Sequence, residues 1–124
     1  MDQLMGKKIA IIEDDSTMRN LLQTLLTIEG YLVVVLTVAT VDGIIKDILF
    51  HQPDAILSDI HLRNMNGLNI TRGIRQLTNI HQPLIVMVSG MELAPESKLA
   101  GADFFLLKPY MPDTLIQWFH DHLT

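Results

Sequence analysis

Cysteine is missing from all 124 residues, which excludes a disulfide framework, thiolate metal sites and thiol nucleophiles. An excess of positive charge is missing too. Nine Lys and Arg stand against 14 Asp and Glu, a net charge of −5, so bulk electrostatics do not favour nucleic acid. Long hydrophobic runs are also lacking. The longest, "YLVVVLTVATV" at 31–41, is too short to cross a bilayer. The opening "MDQLMGKK" runs into a strand-like segment, not into the apolar stretch of a signal peptide. Neither G-x-G-x-x-G nor G-x-x-x-x-G-K-[ST] occurs, which removes dinucleotide and P-loop chemistry. What remains is a chain with 48% hydrophobic residues, long enough to bury a real core. The expectation is one soluble, cytoplasmic domain over residues 1–124, with no membrane contact, no nucleic-acid binding and no output domain.

Five short apolar runs are present: "IAIIED", "LVVVL", "AILSD", "LIVMVSG" and "FFLLKP". None alternates in polarity, which is how strands covered on both faces of a parallel sheet read. Helical spacing fills the intervals. Met18, Leu21, Leu22, Leu25 and Leu26 form one stripe, with Gly30 as its C-terminal cap. Val41, Ile44, Ile45, Ile48 and Leu49 form the next, with Gly43 a weak point near its start. Leu68, Ile70, Ile74 and Leu77 mark a third, and Leu115, Ile116, Phe119 and Leu123 the last. "MELAPESKLAGAD" leaves room for only two or three turns, with Pro95 in the first. Alternating strands and helices imply a three-layer α/β fold, (βα)5, whose five-stranded parallel sheet runs in the order 2-1-3-4-5.

In open sheets of this type, function collects beyond the carboxyl ends of the strands. Those ends carry Glu13, Asp14 and Asp15, then Asp59, Ser89 and Lys108. Asp15, just before a helix, reads as an N-cap. The other acids repel unless a cation joins them, and Mg²⁺ suits hard oxygen ligands from Glu13, Asp14, Asp59 and a nearby carbonyl. Lys108 offers a compact charge for a phosphate, and Ser89 a hydroxyl. Together they could hold three phosphoryl oxygens around a nucleophile. Asp59, at the end of the central run, is the candidate for an aspartyl phosphate. Either isomer of the Lys108–Pro109 bond is open. His120 and His122 lie two apart, share no helical face and read as solvated. One of Phe104 and Phe105 belongs in the core. Trp118, beside the apolar stripe, is either a partner contact or edge packing.

"IIEDDSTMR", "PDAILSDIHLRNMNG", "LIVMVSG" and "AGADFFLLKP" occur in order, and together they resemble the receiver domain of two-component response regulators. The resemblance covers essentially the whole chain. It implies a flavodoxin-like, CheY-like doubly wound sheet. It implies Mg²⁺ held by Glu13, Asp14, Asp59 and the His61 carbonyl, and a phosphoryl group accepted on Asp59 from a histidine kinase or phosphotransfer protein. Ser89 and Phe105 become the switch pair and Lys108 the phosphate-binding lysine. In the family, phosphorylation remodels the face of the fourth helix, fifth strand and fifth helix, for a downstream protein target. Homodimerisation through that face is left open, and the domain is a signalling unit, not an enzyme acting on others.

The chain departs from the family pattern in places. Leu62-Arg63 replaces the usual Met-Pro, which implies a more mobile loop. The Ser89–Lys108 interval is short by about one helical turn, which implies a truncated fourth helix. Met91 cannot orient an attacking water, which implies slow self-dephosphorylation. Two other readings compete. A phosphorylation-independent docking module is favoured by the short fourth helix and opposed by the complete set of acids, Ser89 and Lys108. An aspartyl phosphatase would want an acid at position 61, where His61 stands.

Overall fold

The computed structural model describes residues 6–37 and 39–123. The opening pentapeptide, Val38 and Thr124 lie outside the described residues. Strands and helices alternate throughout: β1 (Lys8–Ile12), α1 (Ser16–Ile28), β2 (Leu32–Val35), α2 (Val41–His51), β3 (Ala55–Asp59), α3 (Gly67–Arg75), β4 (Leu84–Ser89), α4 (Ala94–Ala100), β5 (Phe104–Leu107) and α5 (Pro112–His122). The sheet is parallel in the order β2-β1-β3-β4-β5, as the sequence implies. It is buried on both faces, because neighbouring side chains of a strand point to opposite sides. Ile9, Ile11, Leu57, Val86 and Val88 pack with Leu22, Leu26, Leu115 and Phe119 of α1 and α5. Ala10, Ile12, Ile56, Ile85 and Met87 pack with Ile44, Ile48, Ile70 and Ile74 of α2 and α3.

The edges are less covered than the apolar runs imply. Leu32 on β2 and Leu107 on β5 are exposed, since an edge strand has no neighbour and only part of a helix above it. The expectation that one of Phe104 and Phe105 is core also needs correction. Both are half-buried, Phe104 on the α1–α5 side and Phe105 on the other. Trp118 turns out to be edge packing. It stacks on Phe104 at 5.1 Å and 1°, and on the His122 ring at 4.2 Å. His120 is not solvated, contrary to expectation: it is half-buried, with Nε2 3.6 Å from Glu29 Oε2.

Helix ends follow local chemistry. Asp15 Oδ1 accepts from the Thr17 and Met18 amides, the N-cap role read from sequence. At the other end of α1, Gly30 has φ +98°, and Tyr31 N–H reaches back to Leu26 O at 3.2 Å. That is a glycine-terminated Schellman closure. α4 is short, with Pro95 in its first turn and no side-chain cap.

Candidate functional site

The carboxyl ends of β1, β3 and β5 bring three charged groups together. Lys108 Nζ donates to Asp59 Oδ2 at 2.6 Å and lies 3.6 Å from Glu13 Oε1. β1 and β3 are neighbours in the sheet, with Ile12 opposite Ser58, so Glu13 and Asp59 emerge side by side. The Glu13 and Asp59 side chains are only 9% and 10% exposed, so they meet in a setting where charges interact strongly. Burial, with the Asp59 charge adding to it, raises the Glu13 carboxyl above its ordinary 4.5, against a lowering hydrogen bond from the Asp15 amide and the pull of Lys108. Burial alone would lower the Lys108 ammonium, but its bond to Asp59 and the charges of Asp59 and Glu13 outweigh that and raise it above 10.5.

The remaining candidates are placed by the loops. Asp14 is exposed, and its Oδ2 accepts the Arg63 main-chain N–H. His61 forms an antiparallel bridge with Asn66, with its side chain exposed. Leu62 N–H donates to Met65 O at 3.2 Å, and Gly67 N–H to Ile60 O at 2.8 Å. The loop after Asp59 is thus tied down by main-chain bonds, in contrast to the mobility implied by its missing proline. Ser89 is buried at the end of β4. Its hydroxyl accepts the Met91 amide at 3.0 Å, while its carbonyl accepts Lys108 N–H at 2.8 Å. Phe105 pairs in register with Met87 and lines a groove of about 370 Å³ with Ala94, Ser97 and Ala102. The Lys108–Pro109 bond is cis.

Sequence reasoning passed over two residues here. Tyr110 follows Lys108–Pro109 and is pushed up to about 12 by burial, then by the charges of Glu13 and Asp59. Its position two residues past Lys108 was the available signal. It lines an apolar groove of about 370 Å³ with Met18, Leu21, Leu22, Lys108, Pro109 and Pro112. Gly67 is the other. A Cβ there would strike the Asp59 carbonyl oxygen and come within 2.9 Å of Met87 Cε, so α3 can start this close to β3 only with glycine.

Among the described residues, no three His, Asp or Glu side chains form a closed metal cage. The donor set still fits Mg²⁺, which usually takes one or two carboxylates and keeps several waters. Two nearly buried carboxylates share one ammonium, and the Asp59 charge, which adds to burial in raising Glu13, is what a divalent cation would offset. No helix among the described residues is long and apolar enough to cross a membrane.

Comparison with known proteins agrees with this fold. The model of the response regulator receiver domain matches residues 9–120. The probable transcriptional regulator ycf27 of Guillardia theta is 30% identical over 120 residues, covering 88% of this chain and 42% of the relative. The transcriptional regulatory protein KdpE of Staphylococcus aureus is 35% identical over 116 residues, covering 90% of this chain and 47% of the relative. The chain therefore spans less than half the length of these curated relatives. Among solved structures, the signal receiver domain of a response regulator from Bermanella marisrubri superposes with TM-score 0.84 at 28% identity, covering 97% of this chain and 100% of that one. A putative response regulator from Chloroflexus aurantiacus gives 0.84 at 26% identity, covering 95% and 98%. With the doubly wound sheet, the buried acid–lysine cluster and a family match spanning residues 9–120, this chain belongs to the response regulator receiver domain family.

Proposed function

We propose that Asp59 accepts a phosphoryl group from a phosphohistidine on a histidine kinase or phosphotransfer protein, and that the product is a changed binding surface. The observation that carries this reading is the 2.6 Å contact of Lys108 Nζ with Asp59 Oδ2, beside Glu13, in a nearly buried site. In the transfer, Asp59 Oδ1 attacks phosphorus, the P–N bond of the donor breaks, and the departing imidazole keeps the electron pair and takes up a proton. Lys108 moves from Asp59 to a phosphoryl oxygen, a fixed charge where charge accumulates. Ser89 gives up the Met91 amide and donates its hydroxyl to a second oxygen. Glu13, Asp14, Asp59 and the His61 carbonyl would hold Mg²⁺, which supplies charge neutralisation for the phosphoryl oxygens. The apolar groove beside Lys108 suits a protein donor over a free small molecule.

The phosphorylated state then biases a two-state equilibrium through Ser89 and Phe105. Phe105 is half-buried and borders the groove under α4, so its ring has somewhere to move. On this reading the domain is cytoplasmic and signals through its partner-binding surface. It catalyses only its own phosphorylation and dephosphorylation. The short α4 favours one competitor, a docking module indifferent to phosphorylation. Incubation with Mg²⁺ and beryllofluoride, or with a small phosphodonor, separates the two. A response lost in Asp59→Asn supports the phosphoacceptor. No Mg²⁺-dependent response in either protein would sink it in favour of the docking module.

A further inference from the structure

The loop between β3 and α3 carries the chain's sharpest departure from its family pattern, because Arg63 stands where proline is usual. Proline has no main-chain N–H. Arg63 has one, and donates it to Asp14 Oδ2 across the end of the sheet. The surrounding turn fixes that donor in place. Leu62 is 8% exposed and its N–H is bonded to Met65 O, while the His61–Asn66 bridge closes the base of the turn.

We propose that the main-chain N–H of Arg63 positions Asp14 as a cation ligand, fixing the plane of the carboxylate so that Oδ1 is presented to Mg²⁺. This rests on the site being a Mg²⁺-dependent phosphoacceptor. An ionised carboxylate accepts at about four lone-pair positions, so one amide bond leaves ample capacity while removing a rotation. The two acids of the pair are held in different ways. Glu13 Oε2 takes the Asp15 amide at 3.2 Å and Oε1 faces Lys108, so Glu13 is oriented from α1 and β5. Asp14 is oriented from the β3–α3 loop. Assembly of the cation site is therefore coupled to the conformation of the segment that follows the phosphoacceptor. The Arg63 side chain is exposed and takes no part.

The test compares Arg63→Pro, which deletes the N–H, with Arg63→Ala, which keeps it. Mg²⁺ is titrated into unphosphorylated protein and followed by amide chemical shifts. Arg63→Pro is expected to bind about tenfold more weakly, at the lower end of what loss of an outer-shell donor costs. Arg63→Ala should match wild type. Equal affinity in Arg63→Pro and wild type overturns the proposal. So does an equal loss in Arg63→Ala, which would transfer the role to the guanidinium. Wild-type protein that takes up no Mg²⁺ overturns the phosphoacceptor reading as well, which tells the two failures apart. If Arg63→Pro does not fold, hydrogen exchange at the Arg63 amide decides. Protection in wild type that disappears in Asp14→Ala supports the proposal, and an amide exchanging at open-loop rates in wild type overturns it.

Discussion

Replacing Lys108 with methionine keeps most of the stem volume and removes the ammonium between two nearly buried carboxylates. Unit charges at the observed 2.6 Å and 3.6 Å attract by about 6 and 5 kcal/mol at an effective dielectric near 20. Those are gross terms. Burying each ion opposes them by several kcal/mol, and removing one partner of a buried pair costs about 3–5 kcal/mol net. Lys108 is 34% exposed, so solvent screening reduces that further. We expect a loss of about 2 kcal/mol near neutral pH, measured by urea unfolding in chelator. The pH dependence has a definite sign. Glu13 is raised above 4.5, so it binds its proton more readily folded than unfolded. Its contribution to stability is fully present below that value and lost as pH rises through the folded pKa. Without Lys108, whose charge pulls it down, the folded Glu13 carboxyl holds its proton more tightly still. The deficit should therefore be largest near neutrality, shrink toward about pH 5, and fall by about half in the Asp59→Asn/Lys108→Met double variant. A variant as stable as wild type, or a deficit independent of pH, would refute the electrostatic account.

Gly67→Ala forces a methyl against the Asp59 carbonyl and should cost about 3 kcal/mol by the same unfolding assay, at the upper end for overpacking. An unchanged midpoint would mean α3 can back away from β3. Ultraviolet titration of wild type minus Tyr110→Phe should show one phenol ionising near 12, and a difference spectrum appearing two units lower would show that the ring is not buried beside Glu13 and Asp59. Met91 is 60% exposed and apolar, so phosphorylated protein should decay slowly, with Met91→Gln about tenfold faster through an amide that can hold water. Decay of wild type within seconds would count against this.

The strands were legible because each is an unbroken apolar run, and the charged rim because Glu13, Asp59 and Lys108 each close one. The order of the sheet then made their meeting a geometric consequence. What escaped the sequence depends on contacts between distant segments. The paired half-burial of Phe104 and Phe105 follows from β5 being an edge strand under a seven-residue α4, a fact of topology. His120 lies against Glu29 because α5 packs beside the end of α1, which no helical periodicity reveals. The Arg63 amide is invisible to side-chain motifs, since every residue but proline has one. The loop looked loose for lack of proline, and that lack is what gave it a donor.

At the pole opposite the acids, Arg75 joins four elements. It donates from Nε to Gly101 O at 2.8 Å, from Nη1 to Gln82 Oε1 at 2.7 Å and Pro83 O at 2.8 Å, and from Nη2 to Asp103 Oδ2 at 2.8 Å. Asp103 Oδ2 also accepts Ile85 N–H at 2.8 Å. The ends of α3 and α4 and the starts of β4 and β5 are thereby riveted at one point. The C-terminal end of α4 is anchored there, its body packs inward through the buried Ser97 and Ala100, and at its far end Ala94 N–H is held by Glu92 Oε1 at 3.3 Å. Arg75→Lys, keeping the charge but losing the fork, should loosen that anchor, which broader α4 amide signals recorded with and without beryllofluoride would report.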